Sequence, residues 1–305
     1  MSSSMLTKKV KELAFESHLR YVGITPVERL RHEPEGIKPE TYLPGARTVV
    51  VLGVRLSLGA QLSQKLAHQR YRSAICTYLW HGFGLPNNHY LDRTAFLVAR
   101  LLEKEGHIAV PLLASSPFDL RGSLSKFSNV HAAVAAGLGE MGWSGFLLTP
   151  EAGPRNRVVS VITTAELDPD PMYDGPKLCD PDQCGTSGRS LPICSSVCPV
   201  DALSQDVQTV IIGERTFRTA QLDSNRCFWA SIGLSGNALA VKPLATPDIV
   251  EISDVSQGLK ERDPRQSGEL MVIGRGDYCG KCIMECPVGN SPIVDRLVSE
   301  ARSYT

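Results

Sequence analysis

Two groups of cysteines near the C-terminal end of the chain have the spacing of iron-sulfur ligands. The first group holds four cysteines and ends in Cys198 and Pro199, the second holds three and ends in Cys286 and Pro287, and Cys227 lies between them. In ferredoxins with two clusters, the cysteine that precedes proline ligates the cluster of the other group. The spacing therefore predicts two clusters whose ligands are exchanged between the two groups.

The exchange rule divides these eight cysteines into two sets of four. Ligand set 1 consists of Cys179, Cys184, Cys194 and Cys286. Ligand set 2 consists of Cys198, Cys227, Cys279 and Cys282. The first group departs from the usual bacterial run, because four residues separate Cys179 from Cys184 and nine separate Cys184 from Cys194. The assignment of these two cysteines depends most on this longer loop.

Zinc and disulfide bonds are the alternatives for these cysteines. Zinc sites with four thiolates also use short spacings, but they do not need two Cys-Pro endings. Disulfides are less expected, because the first residues, MSSSMLTKKVKEL, have neither the apolar segment of a signal peptide nor a twin-arginine pair. We therefore expect a cytoplasmic protein whose cysteines bind metal. Cys76 has no cysteine near it in sequence, and we expect a buried thiol there.

The length and the charge of the chain limit its class. A chain of 305 residues can bury a large core and is expected to hold one sizeable domain and a smaller one. Its 32 basic and 32 acidic residues balance, so no overall field favours nucleic acid or an acidic membrane as a partner. No stretch of about 20 continuous apolar residues predicts a membrane span.

Helical and strand patterns alternate in the first half of the sequence, which predicts an α/β fold. Helices are predicted over residues 6–18 and 91–105, and strands over 48–54, 108–113 and 158–163. The helix over 91–105 has an apolar face that includes Phe96, and Gly106 is its expected C-terminal cap. From about Asp168 the composition changes to Pro, Asp, Gly and Cys. We expect a core domain over 1–167 and a ferredoxin-like domain over 168–305, the latter with a hairpin over 207–218 that turns at Gly213.

Four glycines follow an alanine-rich helix within nine positions, at Gly137, Gly139, Gly142 and Gly145. Glycines allow the backbone to approach a ligand closely and to expose N–H groups to it. The order of helix before glycines and strand after them is the reverse of a dinucleotide-binding fingerprint. Taken alone, the pattern is more typical of close packing at a turn.

Four segments resemble one family when they are read together with the cysteine groups. They are KKVKELAFESHLRYVGITP, PETYLPGARTVVVLG, AGLGEMGWSGFLLTPEAGPR and RVVSVITTAEL. Their order is similar to that of the corrinoid-dependent reductase superfamily, which contains the reductive dehalogenases and epoxyqueuosine reductase. The similarity extends from about Lys8 to Asn290. It implies a nitroreductase-like α/β core that binds base-off cobalamin, beside a ferredoxin-like domain with two 4Fe-4S clusters.

The resemblance also implies which residues meet the cobalamin. They are Gly137, Leu138, Gly139, Gly142, Ser144 and Gly145, with Phe228 and Trp229 between a cluster and the corrin. Trp143 stands where dehalogenases commonly have arginine, and Ser123 stands near the position of the proton-donating aspartate of epoxyqueuosine reductases. The latter enzymes also continue into helical repeats for tRNA, and this sequence ends at Thr305. A dehalogenase-like function is therefore the first expectation.

The implied activity is the reductive cleavage of a carbon-heteroatom bond in a small organic substrate. The electrons would come from an external donor such as a ferredoxin, a flavodoxin or a reductase. His107, Tyr90 and Tyr78 are the candidate proton donors, although single residues of these types are more often structural. His81 and His89 are expected to lie in a loop and not in a metal site. The alternatives are an enzyme similar to epoxyqueuosine reductase that acts on tRNA, a cobalamin-binding or electron-transfer carrier, and a flavin in place of the corrin.

Overall fold

The computed structural model describes residues 2–69, 77–114, 127–184, 191–235, 244–262 and 279–303. Cys76 and Ser123 lie outside these residues. The described helices α1 to α10 span Ser3–Glu16, Pro39–Tyr42, Leu58–Gln69, Asp92–Lys104, Asn129–Ala135, Ile193–Ser196, Ser224–Ser231, Ile252–Arg262, Lys281–Met284 and Pro292–Ser303. The strands β1 to β8 span Tyr21–Pro26, Thr48–Arg55, Ala109–Pro111, Glu140–Met141, Leu147–Leu148, Asn156–Thr163, Leu203–Ile212 and Arg215–Leu222. A π-type helix spans Tyr78–Leu91, and 3-10 helices span Val27–Leu30 and Glu35–Ile37.

An antiparallel sheet in the order β1-β2-β6-β3 forms the centre of the fold. On its central strand β2, Val50 and Leu52 pack in one apolar cluster with helices α1 and α4. Val49 and Val51 pack in a second cluster with helix α5. Because successive side chains of a strand point to opposite faces, a strand covered on both faces needs a continuous apolar run. This explains the run over 48–54 and confirms the predicted strand.

Helix α4 occupies nearly the whole of the predicted helix over 91–105. Its residues Val98 and Leu102 are fully buried, as expected for the apolar face. Phe96 is 56% exposed, so its assignment to the buried face was wrong. Gly106 follows the helix at a φ of +88°, and its N–H donates to the carbonyl of Glu103. The predicted glycine cap is confirmed.

The segment between His81 and His89 is helical, and the prediction of a loop there was wrong. Glycine, proline and asparagine weaken isolated helices. Here Tyr78, Leu79 and Leu91 at the two ends of the π-type helix are buried in the core. Tertiary packing therefore outweighs the weak local helical propensity.

The cysteine-bearing part packs against the sheet domain. At the predicted boundary, the carboxylate of Asp170 accepts hydrogen bonds from Lys11 Nζ at 2.6 Å and from the backbone N–H of Ile24 at 2.9 Å. The predicted hairpin is present as β7 and β8, and Gly213 turns it at a φ of +61°. The division into 1–167 and 168–305 stays a prediction. Within the described residues, no helix has both the length and the apolar character needed to cross a bilayer.

Candidate iron-sulfur and cofactor site

Ligand set 1 lines one cavity of about 230 Å³. The cavity is bounded by all four cysteines of the set, which are Cys179, Cys184, Cys194 and Cys286. Cys194 comes from helix α6, and Cys286 comes from the turn that follows helix α9. Gly142, Trp143 and Ser144 form part of the same wall. The structure thus brings a cysteine of the second group to three cysteines of the first.

The thiols of this cavity influence one another electrostatically. Burial, together with the nearby thiols of Cys179, Cys286 and Cys184, raises the pKa of Cys194 to about 12. Burial likewise raises the pKa of Cys286 to about 11. Thiolates must form before they can ligate a metal, and cationic iron would supply the charge that stabilises them.

Ligand set 2 gathers around helices α7 and α9. The pKa of Cys282 is raised by burial and then by the thiols of Cys279, Cys227, Cys194 and Cys198, in that order. Three of these four belong to set 2, and Cys194 belongs to set 1. The two sets are therefore adjacent, and helices α6 and α9 pack together where they meet.

The four cysteines of ligand set 1 surround a cavity and do not converge on one point. Zinc in a structural site has four ligands at about 2.0 to 2.3 Å from one ion. Among the described residues, no three His, Cys, Asp or Glu side chains are grouped so that they could hold one metal ion. Backbone N–H groups meet two sulfurs directly, since Trp143 donates to Cys179 Sγ at 3.3 Å and Ala202 donates to Cys198 Sγ at 3.2 Å. Such bonds to sulfur are among the factors that set cluster potentials.

The glycine-rich segment serves mainly the packing of its own chain. A Cβ atom at Gly137 would lie 2.0 Å from the carbonyl oxygen of Pro171, and one at Gly139 would lie 1.9 Å from that of Leu148. Gly145 differs, because it has a φ of +78° and nothing within 4 Å of the Cβ position. The glycines at 137 and 139 therefore fit the packing explanation, and Gly145 leaves open space in which a ligand could lie.

The other predicted cofactor residues lie at different depths. Leu138 packs against the apolar cluster on the α5 face of the sheet. Trp229 is buried in an apolar cluster against which Phe228, Cys198 and Cys279 also pack. The two aromatic residues thus lie beside cysteines of ligand set 2, and their position between a cluster and the corrin stays a prediction.

The three candidate proton donors are not brought to one place. Tyr78 is 1% exposed, and its hydroxyl accepts a hydrogen bond from Arg157 Nη2 at 2.9 Å. Tyr90 is 40% exposed, at the other end of the π-type helix. His107 lies beyond the C-terminal end of helix α4, whose 13 residues span about 20 Å. Tyr90 and His107 therefore cannot act on the same bound substrate.

Tyr90 lines a second cavity of about 480 Å³. Its wall also includes His18, His81, Arg20 and Arg55. Both arginines pair with one carboxylate, since Glu151 lies 2.9 Å from Arg20 Nε and 2.8 Å from Arg55 Nη1. Hydrogen bonding to Arg20 is the main cause that lowers the pKa of Glu151. The cavity is thus an open depression with a fixed array of charged and titratable groups.

Several polar residues that contact the cysteine segments were not singled out from the sequence. Gln64 Nε2 on helix α3 donates to the carbonyl of Cys279 at 2.7 Å, and Lys65 Nζ lies 2.6 Å from Asp295 on helix α10. Arg155, which follows the glycine-rich segment, donates to carbonyls around Cys286. One sequence signal could have identified Arg155. It is a charged residue next to the apolar strand β6, where a buried charge would need partners.

Comparison with known proteins gives sequence relatives of one kind. The chain is 34% identical over 154 residues to the tetrachloroethene reductive dehalogenase of Dehalobacter restrictus, and the match covers 47% of this chain and 25% of that protein. The enzyme of the same name from Desulfitobacterium hafniense matches to the same extent. The chain thus spans about a quarter of the length of these curated relatives. No protein-family model matches it.

Solved structures share the fold. The catabolic reductive dehalogenase NpRdhA matches with a TM-score of 0.59 and 18% identity, over 99% of this chain and 36% of that one. A reductive dehalogenase described with a mechanism for B12-dependent dehalogenation matches with a TM-score of 0.54 and 18% identity, over 86% and 34%. Epoxyqueuosine reductase matches with a TM-score of 0.50 and 16% identity, over 93% and 66%. The mixed α/β fold class and the resemblance inferred from the sequence are confirmed, and the nitroreductase-like assignment stays a prediction.

Proposed function

We propose that this chain is a cobalamin-dependent reductase with two 4Fe-4S clusters, most similar to a cytoplasmic reductive dehalogenase. It would cleave a carbon-heteroatom bond in a small organic molecule. One observation carries the proposal: the eight cysteines gather into two adjacent groups, and the cavity of ligand set 1 includes Cys286 from the distant second segment. This is the arrangement that reciprocal Cys-Pro ligands of two clusters require.

The donor set fits iron-sulfur clusters. Ligand sets 1 and 2 each supply four thiols, and the cavity of set 1 leaves about 230 Å³ among them. Backbone N–H groups already meet the sulfurs of Cys179 and Cys198. When bound, the clusters would carry single electrons to cobalamin, and the cobalt would be the reducing centre.

The fit to cobalamin rests on fewer residues. Gly145 is open to a ligand, and its neighbour Ser144 lines the cavity of ligand set 1. A group seated there would lie beside a cluster. Gly137 and Gly139 hold the segment in shape, because their own chain fills the space above them. The sequence identity to dehalogenases over 47% of the chain supports the same cofactor.

The chain's own side chains would orient the substrate and supply a proton. Among the three candidate donors, Tyr90 combines exposure with a place in the 480 Å³ cavity. Its hydroxyl could give a proton to the carbon that loses its substituent. Tyr78 is buried behind its bond with Arg157, and His107 is about the length of helix α4 away. We therefore assign the proton to the Tyr90 hydroxyl.

Reduction of epoxyqueuosine in tRNA is a second candidate function. The shared fold covers 66% of an epoxyqueuosine reductase chain, compared with 36% of the NpRdhA chain. The curated sequence relatives favour the dehalogenases. A carrier of cobalamin or electrons is the third candidate, and it would need no proton donor.

The test is anaerobic purification of the full chain, followed by iron and sulfide counts and incubation with cobalamin. Visible and EPR spectra would then be recorded, and halogenated aromatic and chlorinated alkene substrates would be tried beside epoxyqueuosine tRNA. We expect about eight irons, a cob(II)alamin signal without nitrogen superhyperfine splitting, and halide release. Eight irons without cobalamin uptake would leave an electron carrier or a flavoprotein, and zinc in place of iron would overturn the proposal.

A further inference from the structure

Arg155 is completely buried and holds the turn that carries Cys286. It has 0% exposed surface. Its Nη2 donates to the carbonyls of Met284 at 2.8 Å and Cys286 at 2.5 Å, and to Asn290 Oδ1 at 3.1 Å. Its Nη1 donates to the carbonyl of Val288 at 2.8 Å, with a longer contact of 3.5 Å to the carbonyl of Ala152. One guanidinium thus holds the carbonyls of every second residue in the turn, at positions 284, 286 and 288.

In the described part of the chain, the hydrogen bonds of this buried cation go to carbonyl and amide oxygens and not to a carboxylate. Burial lowers the pKa of Arg155, whereas Cys286, Asp295 and Glu285, in that order, raise it. Its Nε has no hydrogen-bond partner among the described residues. A buried charge costs several kcal/mol unless an opposite charge or a full set of hydrogen bonds compensates it. Carbonyl acceptors compensate part of that cost. Cys286, which lines the cavity of ligand set 1, provides more electrostatic compensation than the carboxylates of Asp295 and Glu285.

We propose that Arg155 is a positioning residue for the cluster of ligand set 1, and that its charge raises the reduction potential of that cluster. The inference rests on the proposed function, because the cluster is the anion in question. Four thiolates give a 4Fe-4S cluster a net negative charge, and net charge is one of the factors that set its potential. A fixed cation behind Cys286 favours the reduced form, which carries one more electron.

Two variants separate the positioning role of Arg155 from the effect of its charge on the reduction potential. Arg155→Lys keeps the positive charge but offers three donors in place of five and loses the planar fork, so it should hold fewer of these acceptors. Arg155→Gln removes the charge and keeps part of the hydrogen bonding. The exposed Arg47, which pairs with Glu166 on the surface, gives the matched control Arg47→Gln.

The experiment uses the full chain with its clusters reconstituted anaerobically. Iron release to a chelator and an EPR-monitored redox titration would be measured for the wild type and the three variants. The signal that disappears in Cys286→Ser identifies the cluster of ligand set 1. In Arg155→Gln we expect the equilibrium constant for reduction of the cluster of ligand set 1 to fall at least tenfold. This corresponds to a reduction potential lower by about 59 mV for one electron. The potential of the other cluster should stay unchanged.

Arg155→Lys should keep this potential near that of the wild type and release iron from the same cluster at least fivefold faster. This variant also decides the matter if Arg155→Gln does not fold. Wild-type potentials and iron release in both variants would overturn the role of Arg155 and leave the proposed function intact. A wild-type chain that holds no clusters would overturn both.

Discussion

The indole of Trp143 ties the glycine-rich segment to the helix that carries Cys194. Its Nε1 donates to Ser195 Oγ at 3.1 Å, and both residues are buried. Its backbone N–H donates at the same time to Cys179 Sγ. Trp143 therefore connects helix α6 with the loop that carries Cys179.

Replacing Trp143 by phenylalanine should destabilise the protein by about 1 to 3 kcal/mol, because the buried hydroxyl of Ser195 loses its donor. The backbone bond to Cys179 should remain. Urea unfolding of the anaerobic holoprotein would measure the change. In a double-mutant cycle with Ser195→Ala, the double variant should lose less than the sum of the single variants. Strict additivity would contradict a direct bond between the two side chains.

Cys286→Ser and Cys282→Ser should remove different clusters although the two cysteines are four positions apart. Cys286 lies in the cavity with Cys179 and Cys194, and the thiols of Cys279 and Cys227 lie near Cys282. Each variant should keep about half of the iron, and the EPR signal that remains should differ between them. The same signal lost in both variants would contradict the exchange of ligands.

The sequence predicted which cysteines of ligand set 1 lie together, but it did not distinguish among the candidate proton donors. Cysteine spacing with Cys-Pro endings carries its own geometric rule, so the grouping of Cys286 with Cys179 needed no knowledge of the fold. Both Tyr90 and His107 were candidates, because sequence position does not reveal that helix α4 separates them. Arg155 was passed over for a similar reason, since only the fold brings it against the turn that ends in Val288.

The glycines illustrate the same limit. The pattern at 137 to 145 indicated that the backbone approaches a partner closely, and the structure identifies that partner as the chain itself at Gly137, Gly139 and Gly142. Likewise, the apolar run of β2 indicated a strand covered on both faces, and both layers of helix are present. Local patterns predicted that contacts exist, while the identity of the partner depended on tertiary structure.

Gly139→Ala should therefore mainly lower stability, and Gly145→Ala should mainly weaken cobalamin binding. A Cβ atom at Gly139 would collide with the carbonyl of Leu148, which should cost more than about 3 kcal/mol. At Gly145 the cost should be about 1 to 2 kcal/mol, because the positive φ is strained but the space is open. Cobalamin titration of the folded protein should show weaker binding in Gly145→Ala. Unchanged cobalamin affinity in that variant would separate Gly145 from the cofactor.

Removal of iron should loosen the two cysteine segments unequally. The turn from Met284 to Asn290 is held by Arg155, and the carbonyl of Cys279 is held by Gln64, so these contacts survive without metal. The loop at Cys184 has fewer such anchors, with exposed residues on either side of the Asp180 turn. Hydrogen exchange after anaerobic chelation should increase more in residues 179–184 than in 284–290. Equal increases would show that iron, and not the protein, holds the second turn.

Tyr90→Phe is the sharpest test of the proton assignment. The substitution removes only a hydroxyl at a 40% exposed position, so stability and cobalamin uptake should stay at the wild-type level. If the hydroxyl supplies the proton, the rate of reductive cleavage should fall by about 10²- to 10⁴-fold, and the solvent isotope effect on the remaining reaction should change. Tyr78→Phe is the matched control, because it removes the buried bond with Arg157 and should lower stability by about 1 to 3 kcal/mol. A wild-type rate in Tyr90→Phe, together with a large loss of rate in a stably folded Tyr78→Phe, would move the proton to the buried tyrosine.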